Sequence, residues 1–104
     1  MRPLTFKALR KVNVRRCKAA FHSLKAWSPN DWAVAVAGEV GEACNKLKKR
    51  RRGEKIPLKD IADEIADAVI YLDLLAARIG VNLGKAVVSK FNEVSIRRGV
   101  RHRL

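Results

Sequence analysis

The sequence contains few of the residues that build disulfide-rich, thiolate-metal or transmembrane proteins. Its two cysteines, Cys17 and Cys44, show no CxxC spacing and have no companion histidine cluster, which argues against both a zinc site and a disulfide framework. No segment approaches the roughly 20 consecutive apolar residues that span a bilayer. The N-terminus also lacks the apolar core and small-residue cleavage site of a signal peptide. We therefore expect a cytoplasmic protein with reduced cysteines and no membrane partner.

Aromatic residues are also scarce, at 6% of the chain, although 48% of the residues are hydrophobic. A composition dominated by small and aliphatic side chains favours helices over a sheet rich in aromatic residues. The segment Ser28-Pro29-Asn30-Asp31 is typical of a helix start, and Gly53, Gly80 and Gly99 are typical helix stops. We expect an all-α, antiparallel four-helix bundle in a single domain, 1–104, with helices at about 5–24, 30–52, 58–79 and 83–98.

The third of these helices is apolar on nearly every side after Asp67, where it reads AVIYLDLLAARIG. A helix of this kind must be covered all round, and four helices of one small chain supply too little cover. We therefore expect an oligomer, either a dimer that packs this helix across its interface or a dimer of dimers.

Acidic residues are few, with 10 against 23 lysines and arginines, so the formal net charge is +13. Such a charge makes nucleic acid or another phosphate-bearing molecule the default partner. Five of the ten acids nevertheless lie in DIADEIADAVIYLD, Asp60 to Asp73, which contains no lysine or arginine. Asp60, Asp63, Glu64 and Asp67 share one side of a helix, where like charges three and four positions apart repel each other. A positive group must face them.

A second acidic pair, Glu39 and Glu42, precedes this segment in AGEVGEACNKL. Each pair, Glu39 with Glu42 and Glu64 with Asp67, has i,i+3 spacing, and 21 residues separate Glu42 from Glu64. That interval allows one helix to end and a second to run back beside it, which places the four carboxylates opposite each other. Hard oxygen ligands without histidine or cysteine suit Mg²⁺, or Mn²⁺, better than zinc.

Gly38 and Gly41 interrupt the helix that carries the first acidic pair. Each glycine costs about 1 kcal/mol relative to alanine inside a helix. We expect a neighbouring helix to approach closely at these positions.

These segments, GEVGEACNKLKKRRRGE and DIADEIADAVIYLDLLAARIGVNLGKAVVSKFNEVSIRRG, resemble a known family. They are similar to the MazG-like all-α nucleoside triphosphate pyrophosphohydrolases, a superfamily that includes the dimeric dUTPases and the dCTP pyrophosphatases. The signature of that family is ExxE, a spacer of variable length, and ExxD, which Glu39-x-x-Glu42 and Glu64-x-x-Asp67 match. The resemblance extends from Trp27 to Gly99.

The resemblance implies a nucleoside triphosphate substrate and hydrolysis to the monophosphate and pyrophosphate. It implies that Glu39, Glu42, Glu64 and Asp67 bind Mg²⁺, and that Glu39 or Glu42 can instead act on the attacking water. Lys90 and Arg97 match basic positions that the family places near the phosphates, and Asn92 substitutes for an asparagine that some relatives carry at Val94. Trp27 is the candidate for stacking on the base, and Trp32 can share that role.

Two other functions remain open from the sequence alone. A basic helical module can bind nucleic acid while its acids serve structure, although carboxylates in its middle would repel phosphates. A regulatory family member can retain the acidic residues without turnover. At the level of single residues, Glu42 can pair with Lys46 at i,i+4, and Trp27 and Trp32 can be core residues.

Overall fold

A computed structural model describes residues 2–104 of the chain. It contains four α-helices, α1 (Phe6–Ala20), α2 (Pro29–Arg51), α3 (Leu58–Arg78) and α4 (Leu83–Arg97), with a short 3-10 turn at Leu24–Ala26 between α1 and α2. Residues 2–104 include no β-strand. The all-α class expected from the sequence is confirmed.

Helix α1 is shorter at its C-terminal end than the sequence suggests. Thr5 caps its start by accepting a hydrogen bond from the Ala8 amide at 3.0 Å. The helix ends at Ala20 rather than near 24, because the amides of Phe21 and His22 both donate to the Cys17 carbonyl. The chain then turns so that Leu24 reaches the core and its carbonyl accepts from the Trp32 indole at 3.0 Å.

Helix α2 begins at the expected capping residues. The Ser28 hydroxyl accepts from the Asp31 amide at 3.1 Å, and the Asp31 carboxylate accepts from the Ser28 amide at 2.9 Å. This reciprocal pair satisfies two amides that a helix start would leave unpaired. The helix ends just before Gly53, whose φ of +95° is strained for residues with a Cβ.

Helices α3 and α4 are separated by a turn of four residues, 79–82. Gly80 adopts a φ of +75°, which lets the chain leave α3 immediately. Asn82 then caps α4 by accepting from the Lys85 amide at 3.1 Å. Helix α4 packs mainly against α1, where a Cβ on Gly84 would lie 3.5 Å from the Phe6 Cβ.

The core lies where α1, α2 and α3 meet around a single tryptophan. Trp32 is 1% exposed and packs with the buried side chains of Cys17 and Leu74. The partly buried residues that complete this core are Val14, Leu24, Trp27, Tyr71 and Leu75. Trp32 therefore joins the start of α2 to the C-terminal parts of α1 and α3.

A buried carboxylate ties α1 to α3. Asp73 is fully buried and accepts hydrogen bonds from Arg10 Nε at 2.9 Å and from Asn13 Nδ2 at 3.1 Å. Asn13 also donates to the Ile70 carbonyl at 2.9 Å. Because a buried charge is tolerated only when it is paired, these contacts specify how α1 lies on α3.

The contacts between α2 and α3 follow an ordered sequence. Trp32, near the start of α2, has its ring centroid 6.2 Å from that of Tyr71. Farther along α2, the Lys46 ammonium donates to Glu64 Oε1 at 2.7 Å. Glu64 lies seven positions before Tyr71 on α3. Of these two contacts, the later residue of α2 thus meets the earlier residue of α3.

Gly38 and Gly41 do not mark a close helix contact within this chain. A Cβ built on either glycine meets no atom within 4 Å in the part of the chain that the structure describes. Both glycines are exposed on α2, away from α3. The expected close approach is therefore wrong for the helices of one chain.

Helix α3 leaves an apolar stripe uncovered. Ile65, Val69, Leu72 and Ile79 follow helical spacing and are 54%, 38%, 42% and 53% exposed. Within residues 2–104 no helix has the length and apolar character needed to cross a membrane.

Candidate metal centre and adjoining cavity

Three carboxylates from α2 and α3 meet at one point. Glu39 comes from α2, and Glu64 and Asp67 come from adjacent turns of α3. One oxygen from each side chain lies within 4.8 Å of the others. The i,i+3 spacing on α3 places its two acids on one face, and the packing of α2 brings Glu39 opposite them.

Two oxygens of this cluster are buried without a hydrogen-bond partner. They are Glu39 Oε2 and Glu64 Oε2, and no donor in the described chain reaches either atom. Burying an unpartnered carboxylate oxygen is costly, so such atoms in a native protein point to a missing cation or donor.

The charges in the cluster repel each other. Burial first, and then the nearby carboxylates of Glu42 and Asp67, raise the pKa of Glu39 to about 7. The carboxylate of Glu64 raises the pKa of Glu42. Glu42 therefore lies beside the cluster, although it is outside the compact set of three. A positive charge placed among these groups would relieve the repulsion.

Lys46 supplies part of that positive charge. Its ammonium donates to Glu64 Oε1 at 2.7 Å, and this contact holds the pKa of Glu64 below its usual range. The sequence suggested Glu42 as the partner of Lys46, but the closest acid is on the facing helix. Lys46 lies seven residues after Glu39, on the same face of α2, and this spacing is the signal that sequence reasoning missed.

The donor set suits a hard cation. It offers carboxylate oxygens only, of which Glu39 Oε2 and Glu64 Oε2 remain unpaired, and it includes neither histidine nor cysteine. Oxygen-only sites are typical of Mg²⁺, Mn²⁺ and Ca²⁺ rather than of zinc. The residues therefore fit a divalent cation.

A cavity of about 240 Å³ opens beside the carboxylates. Its walls are mainly aromatic and apolar, and Asp67 belongs both to the cluster and to the cavity lining. The aromatic and imidazole side chains that line it are Phe21, His22, Trp27, Trp32 and Tyr71. A flat, partly apolar group can therefore occupy the cavity while a charged group on the same molecule reaches the carboxylates.

Trp27 and Trp32 contribute differently to this cavity. Trp27 is half-buried, and its carbonyl is held by Arg78 Nε of α3 at 2.9 Å. Trp32 is buried and forms the floor, with its ring centroid 4.7 Å from that of Trp27. Only Trp27 therefore retains accessible ring surface of the kind that stacking requires.

His22 also lines the cavity, although the sequence assigns it no role. Its ring centroid lies 4.6 Å from Trp27 and 5.5 Å from Trp32. It reaches this place because α1 ends at Ala20 and the chain turns back toward the core. Because no glycine or proline directly follows Ala20, the sequence does not show that α1 ends there or that His22 turns toward the core.

The residues predicted on α4 lie apart from the carboxylates in this chain. Lys90 and Arg97 are exposed and both face Glu93, at 3.4 and 3.9 Å. Asn92 Oδ1 accepts from the Leu104 amide at 2.9 Å. Since α4 packs mainly against α1, the structure brings none of these three to the site formed by α2 and α3.

Comparison with known proteins gives a consistent set of relatives. The proteins named dCTP pyrophosphatase 1 of Rattus norvegicus and Homo sapiens are 32% and 33% identical over 91 residues, covering 77% of this chain and 54% of each relative. That of Bos taurus is 31% identical over the same coverage. The chain is a relative of the MazG-like nucleoside triphosphate pyrophosphohydrolases. The resemblance expected from the ExxE and ExxD motifs is thereby confirmed.

Among the comparisons, only these relatives support the MazG-like relationship. No family model matches the chain. No solved structure matches it either. The chain spans about half the length of the curated relatives that it matches, with 54% of each covered.

Proposed function

We propose that this protein is a Mg²⁺-dependent nucleoside triphosphate pyrophosphohydrolase, which converts a (deoxy)nucleoside triphosphate to its monophosphate and pyrophosphate. Such an activity would cleanse or adjust the nucleotide pool. The observation that carries the proposal is that Asp67 belongs both to a carboxylate cluster and to an aromatic cavity. The cluster suits a metal-bound polyphosphate, and the cavity suits the base of the same nucleotide. Relatives named dCTP pyrophosphatase support this assignment.

Glu39, Glu64 and Asp67 would hold the divalent cation, with Mn²⁺ as a possible substitute for Mg²⁺ and Glu42 beside them. When bound, the cation would supply charge neutralisation for the polyphosphate and polarise a phosphoryl oxygen. Glu42 is outside the compact set, which favours it over Glu39 as the carboxylate that accepts a proton from the attacking water. The ammonium of Lys46 keeps Glu64 ionised and oriented.

Trp27 would stack on the base, because it is the half-buried tryptophan at the cavity. Tyr71 and His22 would close the remaining sides of the base pocket. Lys90, Asn92 and Arg97 could reach the phosphates only from another subunit, since α4 lies away from the cluster in its own chain.

The assay that tests the proposed function distinguishes pyrophosphate from inorganic phosphate. The purified protein is incubated with Mg²⁺ and each common ribo- and deoxynucleoside triphosphate. We expect stoichiometric pyrophosphate and nucleoside monophosphate from at least one of them, and no reaction after EDTA treatment. Release of inorganic phosphate alone, or of nothing from any nucleotide, would disprove the proposal.

Divalent cations should stabilise the folded protein, because they bind the native cluster and not the unfolded chain. A cation at about 100 times its Kd contributes about 2.7 kcal/mol to the free energy of unfolding. Thermal unfolding should therefore move up by several degrees in Mg²⁺ or Mn²⁺. Glu64→Gln should abolish this increase, whereas Asp63→Asn, on the same helix but paired with Lys59, should retain it. An equal increase in Glu64→Gln would rule out the cluster as the site.

The chain is also proposed to form a single domain whose helices α2 and α3 run antiparallel, as their ordered contacts suggest. We propose that it assembles as a homodimer or a dimer of dimers. The exposed stripe of Ile65, Val69, Leu72 and Ile79 supports this assembly, because apolar side chains exposed along one face of a helix are typical of an interface between subunits.

A charge placed in that stripe should separate the subunits. In sedimentation or light-scattering measurements, we expect the parent to have the mass of a dimer or tetramer and Leu72→Glu to shift toward the monomer. Ala19→Glu adds the same charge at an exposed position of α1 and should leave the mass unchanged. A parent protein that is monomeric at micromolar concentration would contradict the proposed assembly.

A further inference from the structure

The buried side chain of Asn13 has a fixed orientation on α1. It is 4% exposed, and Nδ2 donates to the Ile70 carbonyl at 2.9 Å and to Asp73 Oδ2 at 3.1 Å. A backbone carbonyl and an ionised carboxylate only accept hydrogen bonds. Reversing the amide would place Asn13 Oδ1 against two oxygens, so the amide nitrogen must face α3.

The remaining polar atom, Asn13 Oδ1, is an acceptor open to the cavity. Asn13 is one of the residues that line the cavity beside Asp67. Within residues 2–104 no donor forms a hydrogen bond with Oδ1. The fully buried side-chain oxygens that lack a partner are Glu39 Oε2 and Glu64 Oε2, so Oδ1 keeps some contact with solvent. Besides the Asp67 carboxylate, the cavity therefore presents a buried, oriented acceptor at Asn13 within largely apolar and aromatic walls.

The residues behind Asn13 hold this acceptor in place. Asp73 is fully buried and is itself fixed by Arg10 Nε at 2.9 Å, while Arg10 Nη2 donates to the Val81 carbonyl at 2.9 Å. Neither Asp73 nor the Ile70 backbone can follow Asn13 if its side chain rotates. A preorganised acceptor of this kind discriminates between ligands, because it does not adapt to a wrong one.

The acceptor lies on the base side of the proposed nucleotide site. Its partners Ile70 and Asp73 follow Asp67 by three and six residues, about 4.5 and 9 Å along the axis of α3. A ligand whose phosphates reach the carboxylate cluster would thus extend its base toward Asn13.

We propose that Asn13 is a specificity-determining residue, whose Oδ1 accepts a hydrogen bond from the exocyclic amino group of the base. This inference rests on the proposed function. Cytosine and adenine carry such a group, whereas uracil, thymine and hypoxanthine place a carbonyl oxygen there. An oxo base would set two acceptors against each other out of water, which is more costly than a missing hydrogen bond. The site therefore selects amino-bearing bases.

The test compares nucleotides that differ only at this group. Binding of dCMP against dUMP, and of dAMP against dIMP, is measured by calorimetry in Mg²⁺ and requires no turnover. We expect the amino member of at least one pair to bind at least about tenfold more tightly, which corresponds to about 1.4 kcal/mol. The ratio of kcat/KM for dCTP over dUTP should show the same preference.

Two variants separate recognition from general damage to the fold. Asn13→Leu should bring the binding ratio to within about twofold of one, whereas Val14→Ala, at the neighbouring position of α1 that packs in the core and does not line the cavity, should preserve the ratio. A loss of stability affects both members of a pair equally and leaves their ratio unchanged. If Asn13→Leu does not fold, Asn13→Ala, which removes the same acceptor, takes its place in the comparison.

The results that would overturn the role of Asn13 differ from those that would disprove the proposed hydrolysis. Equal binding within both pairs, tighter binding of the oxo members, or no binding of any monophosphate overturns the role of Asn13. A ratio that Asn13→Leu leaves unchanged also overturns it. A protein that prefers dCMP but hydrolyses no triphosphate supports the role of Asn13 as a recognition residue and disproves the proposed hydrolysis.

Discussion

Asp67→Asn should reduce kcat/KM for pyrophosphate release on the order of a thousandfold while the protein remains folded. The substitution removes one charged ligand from the cluster of Glu39, Glu64 and Asp67 and keeps the size of the side chain. A thousandfold loss corresponds to about 4 kcal/mol of transition-state stabilisation, within the several kcal/mol that a bound cation supplies in phosphoryl transfer. Steady-state kinetics at saturating Mg²⁺ measure the loss.

Helix content should be unchanged in Asp67→Asn, and its stability without metal should be equal or higher, because one repulsive charge is gone. The matched control is Asp63→Asn, which lies one turn earlier on α3 and pairs with Lys59 at 2.7 Å on an exposed surface. That variant should retain activity within about twofold, since exposed ion pairs contribute little. If Asp67→Asn is as active as the control, the site assignment is wrong.

Trp32→Ala should lower the free energy of unfolding by roughly 3–5 kcal/mol, the usual cost of removing a buried aromatic side chain. Trp32 is 1% exposed, and its indole donates to the Leu24 carbonyl, so the substitution opens a cavity and also leaves an acceptor unpaired. For a domain whose total stability is about 5–15 kcal/mol, that is a large share. Urea titration followed by circular dichroism gives the loss directly.

Two other substitutions separate this effect from function. Val34→Ala, on the same helix but 71% exposed, should change the free energy of unfolding by less than about 0.5 kcal/mol. Trp27→Ala should cost less stability than Trp32→Ala but raise KM by about tenfold, since base stacking contributes about 1–3 kcal/mol. A Trp32→Ala protein with the parent's urea midpoint would show that the buried indole is not the centre of the core.

The sequence alone determined where several helices begin and end and which acidic residues share a helix face. Ser28 and Asp31 specify the start of α2, and Gly53 and Gly80 end two helices, because capping and positive φ angles depend only on neighbouring residues. The i,i+3 spacing of Glu64 and Asp67 likewise sets both acids on one face of α3 whatever surrounds them.

Contacts between distant parts of the chain were decided by the tertiary structure. Lys46 pairs with Glu64 rather than with Glu42, Trp32 forms the floor of the cavity, and His22 joins it after the early end of α1. The orientation of Asn13 depends on Ile70 and Asp73, 57 and 60 residues away. A sequence shows which side chains share a helix face. Which faces meet depends on how all the helices bury their apolar surface together. That packing of the helices places the cavity beside the carboxylates.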